Sequence, residues 1–354
     1  MDLRIEVLLQ EVVNLGASDL HLQVGTLPMV RQQGELIEII AQKPLTPADI
    51  ESLIFAILDD EQKSILLKNK EVDCGFSFGE LGRFRVNVFH EKGNLAASLR
   101  LIPSRIPSLD DLGLPAVVST FAQYKQGLVL FTGPTGSGKS SSMAALIHKI
   151  NEERKERIIT IEDPIEFVHS SKRSIVVQRE VHYDTYSFAA ALRSALRQDP
   201  DIVLVGELRD LETISAALTI AETGHLVFGT LHTNSAPQTI NRIIDVFPPH
   251  QQAQIRIQLS NTLKATCAQY LVPNIEGTRS VATEILIVDS AVSNLIRESK
   301  IHQIDSIIQG NAALGMQGMD QTLAKMVQAG IITYDNGLKV ARNPSAFKNL
   351  TQGM

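Results

Sequence analysis

Leu3, Val7, Leu8, Val12 and Leu15 recur at the three- and four-residue spacing of one helix face, and Gly16 ends the run. A short strand is predicted at 20–24, then a hairpin over 29–40 broken at Gly34. Thr46 followed by Pro47 offers an N-cap and a proline at the first helical position, so a helix is predicted next. Apolar runs at 72–78, 84–89 and 95–102 read as strands joined by glycine-containing turns, and strands connected so tightly pair antiparallel. Residues 1–102 thus read as a small α+β domain. Pro103, Pro107, Gly113 and Pro115 crowd the next stretch, and 103–115 is the predicted linker.

The pattern changes from about residue 116. Short apolar runs at 128–132, 158–161, 202–205 and 226–230 alternate with amphipathic helices. Strands buried on both faces have this appearance, and the alternation predicts a parallel sheet in a doubly wound α/β domain over 116–285. Residues 286–354 read as short helices forming a C-terminal subdomain. There is no internal repeat and no low-complexity segment.

Composition narrows the function. The 354 residues suit two or three domains at roughly 150 residues each, and 44% hydrophobic with 20% charged residues is an ordinary globular balance. The net charge of −6, with no run of Lys or Arg, argues against a nucleic-acid partner, because such binding rests on neutralising phosphates. Cys74 and Cys267 are too few for a four-cysteine zinc site and are expected as buried thiols in a reducing compartment. No apolar stretch approaches the ~18 residues of a membrane span. The acidic, periodic start is unlike a secretory signal, so a cytosolic protein is expected.

Gly133, Pro134, Thr135, Gly136, Ser137, Gly138, Lys139 and Ser140 match G-x-x-x-x-G-K-[ST]. The motif follows a predicted strand and opens a helix predicted to reach about Glu153. Its glycines let backbone N–H groups turn inward around a phosphate, and the helix N-terminus adds positive potential. Lys139 is in place to reach the outer phosphates of a nucleotide, and the Ser140 hydroxyl to take Mg²⁺.

The strand at 202–205 runs through Gly206 into Glu207, where a carboxylate beyond the last phosphate could polarise an attacking water. Gly206 stands where many phosphate-loop enzymes carry an Asp. Glu162, Asp163 and Glu166 cluster at a second strand end; they either position Mg²⁺ through water or form a solvated Asp-Pro turn. His225 and His232 bracket the last strand. Seven residues at about 3.3 Å put them roughly 23 Å apart, which excludes a shared metal and leaves separate roles at the two strand ends. His232 falls at the end where it could sense a phosphate. Arg83, Arg85 and Arg100 on the first-domain strands, and Arg193, Arg197, Arg209 and Arg242 further on, could each stabilise a phosphoryl transition state or simply be solvated.

Ser18-Asp19-Leu20-His21-Leu22, GPTGSGKS at 133–140, IEDPIEF at 161–167, QRE at 178–180, LVGELRD at 204–210 and TGHLVFGTLHT at 223–233 together resemble the secretion ATPase superfamily. The match is nearest to its type IV pilus retraction ATPases. The resemblance implies an N-terminal PAS-like domain, a RecA-like ATPase domain, and a homohexamer with ATP sites between subunits. It implies that Lys139, Ser140 and the adjoining Ser141 serve ATP and Mg²⁺, that Glu207 is the catalytic carboxylate, and that Glu166, His225 and His232 support it. The first-domain arginines would then reach the nucleotide across a domain or subunit boundary. Implied partners are an inner-membrane pilus platform protein and a second retraction ATPase, at the cytoplasmic face of the pilus base.

Two departures stand out. The retraction group carries AIRNLIRE, whereas this chain has Ala291, Val292 and Ser293 before Asn294, Leu295, Ile296, Arg297 and Glu298, so the first arginine is a serine. The phosphate loop continues Ser141-Ser142-Met143 in place of Thr-Thr-Leu. Extension and secretion ATPases, which add a four-cysteine zinc motif, fit less well. An accessory retraction paralogue fits the same motifs, and a non-hydrolysing adaptor would have no need of Glu207.

Overall fold

The computed structural model describes residues 4–32, 34–39, 43–79, 82–102 and 105–352. Leu3, Ile40 and Pro103, used above, lie outside the described residues. The chain divides into two compact units, one of 1–105 with 164–168 and the other of 106–163 with 169–354.

The first unit runs α1 (Ile5–Asn14), β1 (Asp19–Leu22), β2 (Met29–Gln32), β3 (Glu35–Glu38), α2 (Pro47–Phe55), α3 (Asp60–Asn69), β4 (Glu71–Phe78), β5 (Gly82–Glu91) and β6 (Asn94–Ile102). Its six strands form one sheet in the order β3-β2-β1-β6-β5-β4, with every pairing antiparallel. Leu8, Leu9 and Val12 of α1 and Ile50, Leu53 and Ile54 of α2 share one core with Leu20, Val86, Val88 and Leu99 of the sheet. α2 starts on a capping box: the Thr46 hydroxyl accepts from Asp49 N at 3.2 Å while Asp49 accepts from Thr46 N at 2.9 Å. α3 was not among the predicted elements; it opens on its own Asp59–Gln62 box.

The second unit contains α4 (Ala116–Thr120), β7 (Gly127–Thr132), α5 (Lys139–Glu153), β8 (Arg157–Glu162), β9 (Ile175–Glu180), α6 (Phe188–Ala195), β10 (Ile202–Val205), α7 (Leu211–Glu222), β11 (Leu226–Leu231), α8 (Ala236–Asp245), α9 (Pro249–Thr262), β12 (Leu263–Pro273) and β13 (Arg279–Ile287). Helices α10 (Ser290–Arg297), α11 (Ile304–Gly310), α12 (Met319–Gln328), α13 (Tyr334–Val340) and α14 (Pro344–Gln352) follow. The seven strands lie in the order β13-β12-β7-β11-β10-β8-β9. All pairings from β12 to β9 are parallel, and β13 returns antiparallel to β12. β7, β10 and β11 are buried at every position, as the continuous apolar runs predict.

The β12–β13 hairpin and the edge strand β9 were not predicted. β12 is too uniformly buried to alternate, and β9 is mostly half-buried and polar at Gln178, Arg179 and Glu180. The hairpin seats the C-terminal helices: Val272 and Ala282 share a core with Met319, Leu323, Ile332 and Phe347. Cys74 and Cys267 are both buried and form no disulfide. No helix among the described residues is long and apolar enough to cross a membrane.

The Thr46 cap is reciprocal and mostly solvent-facing, so Thr46→Ala should cost about 1 kcal/mol with little change elsewhere. Urea unfolding of the variant measures it directly; an unchanged midpoint would mean that the box adds nothing to α2.

Candidate functional site

Register decides which loops meet. Thr132 at the end of β7 pairs with Leu231 at the end of β11, and Val205 of β10 pairs with Gly229 of β11 and Ile161 of β8. The segments after these strands (133–138, 206–210, 232–235 and Asp163) therefore leave one edge of one sheet, the carboxyl edge where ligands of open α/β sheets bind.

The loop 133–138 has the shape of an anion cradle. Gly133, Gly136 and Gly138 all adopt positive φ, at 135°, 77° and 89°. α5 begins directly after Gly138 with no side chain capping its first N–H groups, leaving them to an anion. Gly133 is required for a second reason: a Cβ there would lie 2.3 Å from the backbone oxygen of Gln269 and 2.8 Å from Ser137 Oγ. The loop is thus pressed onto β12. Lys139 is buried, and its Nζ donates to the carbonyls of Gly133 at 2.8 Å and Pro134 at 3.0 Å. Pro134 and Ser140 are half-buried, whereas Thr135 is exposed. Ser141, in the first turn of α5, is half-buried behind the loop.

Below the cradle lies a polar layer that no sequence pattern announces. Gln269 Nε2 donates to Ser142 Oγ at 2.8 Å, 127 positions away. Gln269 Oε1, Ser137 Oγ and Thr132 Oγ1 are buried with no hydrogen-bond partner among the described residues. Unsatisfied buried groups are rare, and a hydroxyl donor left over inside a phosphate cradle fits an anionic ligand. The residues present therefore fit a nucleotide phosphate.

Glu207 sits between two cationic or hydrogen-bonding partners. Its Oε2 lies 2.6 Å from Arg209 Nη2 and its Oε1 3.3 Å from His232 Nε2. Burial alone would raise its pKa, but the Arg209 hydrogen bond and charge, helped by His232, outweigh it and hold the carboxyl below its usual range. The turn bearing it is fixed on both sides. Gly206 N donates to Ile161 O at 2.8 Å and Leu208 N to Thr230 O at 2.9 Å. A Cβ on Gly206 would come within 3.3 Å of Glu162 Cα and Ile161 O, so a larger residue at this position would crowd β8.

The other candidates separate. Glu162 Oε1 accepts from Thr160 at 2.6 Å and Gln178 at 3.1 Å, along the β8–β9 face. Asp163 is exposed and adds to the negative field at Arg209. Glu166 is exposed, on the segment that groups with the first unit. His225 lies at the opposite end of β11 from His232, where its Nδ1 is 3.1 Å from both Thr223 Oγ1 and Ile220 O, at the C-terminal end of α7. Of the first-unit arginines, Arg100 donates to Asp19 at 2.8 Å and Arg83 to Ser77 at 3.4 Å, while Arg85 is exposed opposite Arg100. Asn294, Leu295, Ile296, Arg297 and Glu298 form the end of α10: Ile296 is buried, Arg297 bonds Asn294 at 3.0 Å, and Glu298 pairs with Lys300 at 2.8 Å. No group of three or more His, Cys, Asp or Glu that could hold a metal occurs among the described residues.

Comparison with known proteins agrees with this architecture. The family described as "Type II/IV secretion system protein" matches residues 3–289. The type IV pilus retraction ATPase PilT of Pseudomonas aeruginosa is 48% identical over 94% of this chain and 96% of its own. The type IV pilus ATPase PilU of the same organism is 38% identical over 95% of this chain and 88% of its own. A crystal structure of the pilus retraction motor PilT with bound ADP superposes with a TM-score of 0.93 at 47% identity, covering 98% of this chain and 99% of that one.

Gly133 and Gly136 differ in a way that binding can report. Both would be strained by a side chain at positive φ, but only at Gly133 would the Cβ also strike the β12 backbone. Gly133→Ala should weaken binding of a fluorescent ADP analogue by more than about tenfold, and Gly136→Ala by less. Equal losses would mean that the contact with β12 does not shape the cradle.

Proposed function

The chain belongs to the type II/IV secretion system protein family and is an ATPase, and we propose that it works as the hexameric motor of type IV pilus retraction. The observation that carries the reading is the Glu207 carboxylate, held ionised between Arg209 and His232 at the sheet edge that also bears the phosphate loop. A pure binding module has no use for such a group. The higher identity to the PilT of Pseudomonas aeruginosa than to its PilU favours the principal over the accessory motor.

Each residue then has a task. The N–H groups of 133–140 and Lys139 hold the phosphates; to do so, Lys139 exchanges the carbonyls of Gly133 and Pro134 for phosphate oxygens. Ser140 and, through water, Asp163 would hold Mg²⁺, and the ion would supply neutralisation of developing charge. Glu207 orients the attacking water; with its pKa depressed it is a weak base, so its contribution is placement and polarisation. His232 fixes one carboxylate oxygen and Arg209 the other. Arg85, exposed on β5, is available to the ATP site of another subunit. His225 acts on the site only through the end of α7. The polar side of α10 (Asn294, Arg297 and Glu298) is the surface offered to the rest of the machine, with Ser293 where the retraction group has an arginine. The partners are five further copies of this chain and the inner-membrane platform protein of the pilus.

Glu207→Gln should lower kcat by about 10²–10³-fold while leaving KM for ATP near the wild-type value. In a Pseudomonas strain lacking its own retraction ATPase, the wild-type gene should restore twitching and Glu207→Gln should leave cells non-motile and heavily piliated. Restored twitching by the Gln variant would remove Glu207 from the mechanism; full turnover in vitro without any restoration by wild type would keep the ATPase and discard retraction.

The pH dependence has a definite sign. A depressed carboxylate stays ionised until pH falls below its folded pKa, so the wild-type acid limb lies below the ordinary Glu range of about 4.3. Arg209→Ala removes the main lowering partner while burial still raises the group. The acid limb of kcat in the variant should therefore move to higher pH. Superimposable normalised profiles would show that Arg209 does not hold Glu207.

A further inference from the structure

The segment after α13 reaches the turn that follows His232 through the side chain of Arg342. Arg342 follows α13, more than fifty residues past the end of the family match at 289. Its backbone is anchored locally: Arg342 N donates to Asp320 Oδ1 at 2.8 Å and Asn343 N to Asp320 Oδ2 at 3.0 Å, both on α12. Its guanidinium extends away from that anchor. Nη1 bonds Glu284 Oε2 on β13, and Nη2 bonds the carbonyl of Asn234. Glu284 is almost wholly buried, with a side chain 3% exposed, and its other oxygen accepts from Ala236 N at 2.9 Å.

Asn234 and Ala236 flank Ser235, the cap of α8, and lie two and four residues after His232. The turn leaving β11 is thus gripped at both ends by one Arg–Glu pair. The rest of its bonds are short-range: Asn234 N to Gln238 at 3.2 Å, Thr233 to Thr239 at 2.7 Å, and Gln238 N to Ser235 at 3.2 Å. These hold the turn to α8, whose apolar face packs with Leu286, Ile304 and Ile308; the Arg342–Glu284 pair adds the directional polar tie from the turn to β13 and to the segment after α13. A cleft of about 680 Å³ borders the pair, lined by Ser235, Asp320 and Asn343 among others, so the arm is held by its hydrogen bonds more than by packing.

We infer that Arg342 is a positioning residue for ATP hydrolysis: by fixing the Asn234 carbonyl it sets where His232 meets Glu207, and it makes turnover depend on where the C-terminal helices lie. This rests on the assignment of Glu207 and His232 to the hydrolytic site. The geometry explains why an arginine is needed. A guanidinium offers parallel donors and can satisfy a carboxylate and a carbonyl together, whereas an ammonium at the same place is a point charge that the carboxylate captures.

Arg342→Lys is the informative change, because it keeps Glu284 paired and releases Asn234. In the full-length protein kcat should fall about tenfold, since small misplacements remote from the chemistry cost rates of this order. KM for ATP and the affinity for a fluorescent ADP analogue should stay within about twofold of wild type, and the melting temperature should hold. In a folded variant, loss of ADP-analogue affinity in step with kcat would make Arg342 a merely structural residue and overturn the inference. So would unchanged kcat in Arg342→Lys when Glu207→Gln, measured beside it, is inactive. If Glu207→Gln itself turns over at the wild-type rate, the assignment of the hydrolytic site is what fails. Should the lysine variant not fold, the double change Arg342→Met with Glu284→Met removes both charges of the pair, the buried carboxylate included, at similar volume. It is read by the same split: a lower kcat with unchanged binding supports the inference, and wild-type kcat overturns it.

Discussion

The parallel pairing of β7, β11, β10 and β8 is the constraint from which the rest follows. These strands are buried on both faces, so each has a hydrophobic surface to satisfy above and below, and a change of register by one residue would exchange the two faces all along the strand. With the register fixed, Thr132, Leu231, Val205 and Ile161 end near one line, and the residues after them have no choice but to share an edge. Gly206 lets the β10 exit lie close over β8. The hydrogen bonds of Gly206 and Leu208 to the two neighbouring strands then leave Glu207 one direction in which to point.

How much of this could be read in the sequence depended on the range of each interaction. The phosphate loop was legible because its signal is local: three glycines at fixed spacing, then Lys139 and Ser140, between an apolar run and a helix. Glu207 and His232 were legible as residues just past buried strands, where side chains emerge at the carboxyl edge. The first-unit sheet followed from closely spaced strands and glycine turns. What stayed hidden was joined across long separations. Gln269 meets Ser142 at a distance of 127 positions and Arg342 meets Glu284 at 58, and neither residue type carries a pattern that announces its partner. β12 escaped because its run of buried residues on both faces, Ala265 to Gln269, shows no alternation, and β9 because an edge strand with half-polar faces looks like a loop.

Three carboxylates on the same sheet show how position sets chemistry. Glu207, half-buried and facing Arg209 and His232, is held below its ordinary range. Glu162, one strand over, accepts from Thr160 and Gln178 and helps join β8 to β9. Glu284 is the deepest: burial pushes its pKa up, and the Arg342 charge and the Ala236 N–H offset this only in part. A pair whose carboxylate is this deeply buried is a poor source of stability, since desolvation of Glu284 cancels much of the attraction. What it supplies is direction, because the pair is satisfied in one arrangement only.

That distinction bears on what the C-terminal helices are for. Apolar side chains of these helices and their connections (Leu323, Ile332 and Phe347) pack on β12 and β13, and that core is enough to keep them attached. Attachment alone would not need Arg342 to leave Asp320 and reach the turn after His232. A motor does work only if some part is bound differently in different nucleotide states. A helical segment that is held to the sheet by a non-directional apolar core, and to the turn after His232 by a directional polar contact, meets both demands. The core lets the segment stay on through the cycle, and the contact makes its exact seating matter to Glu207.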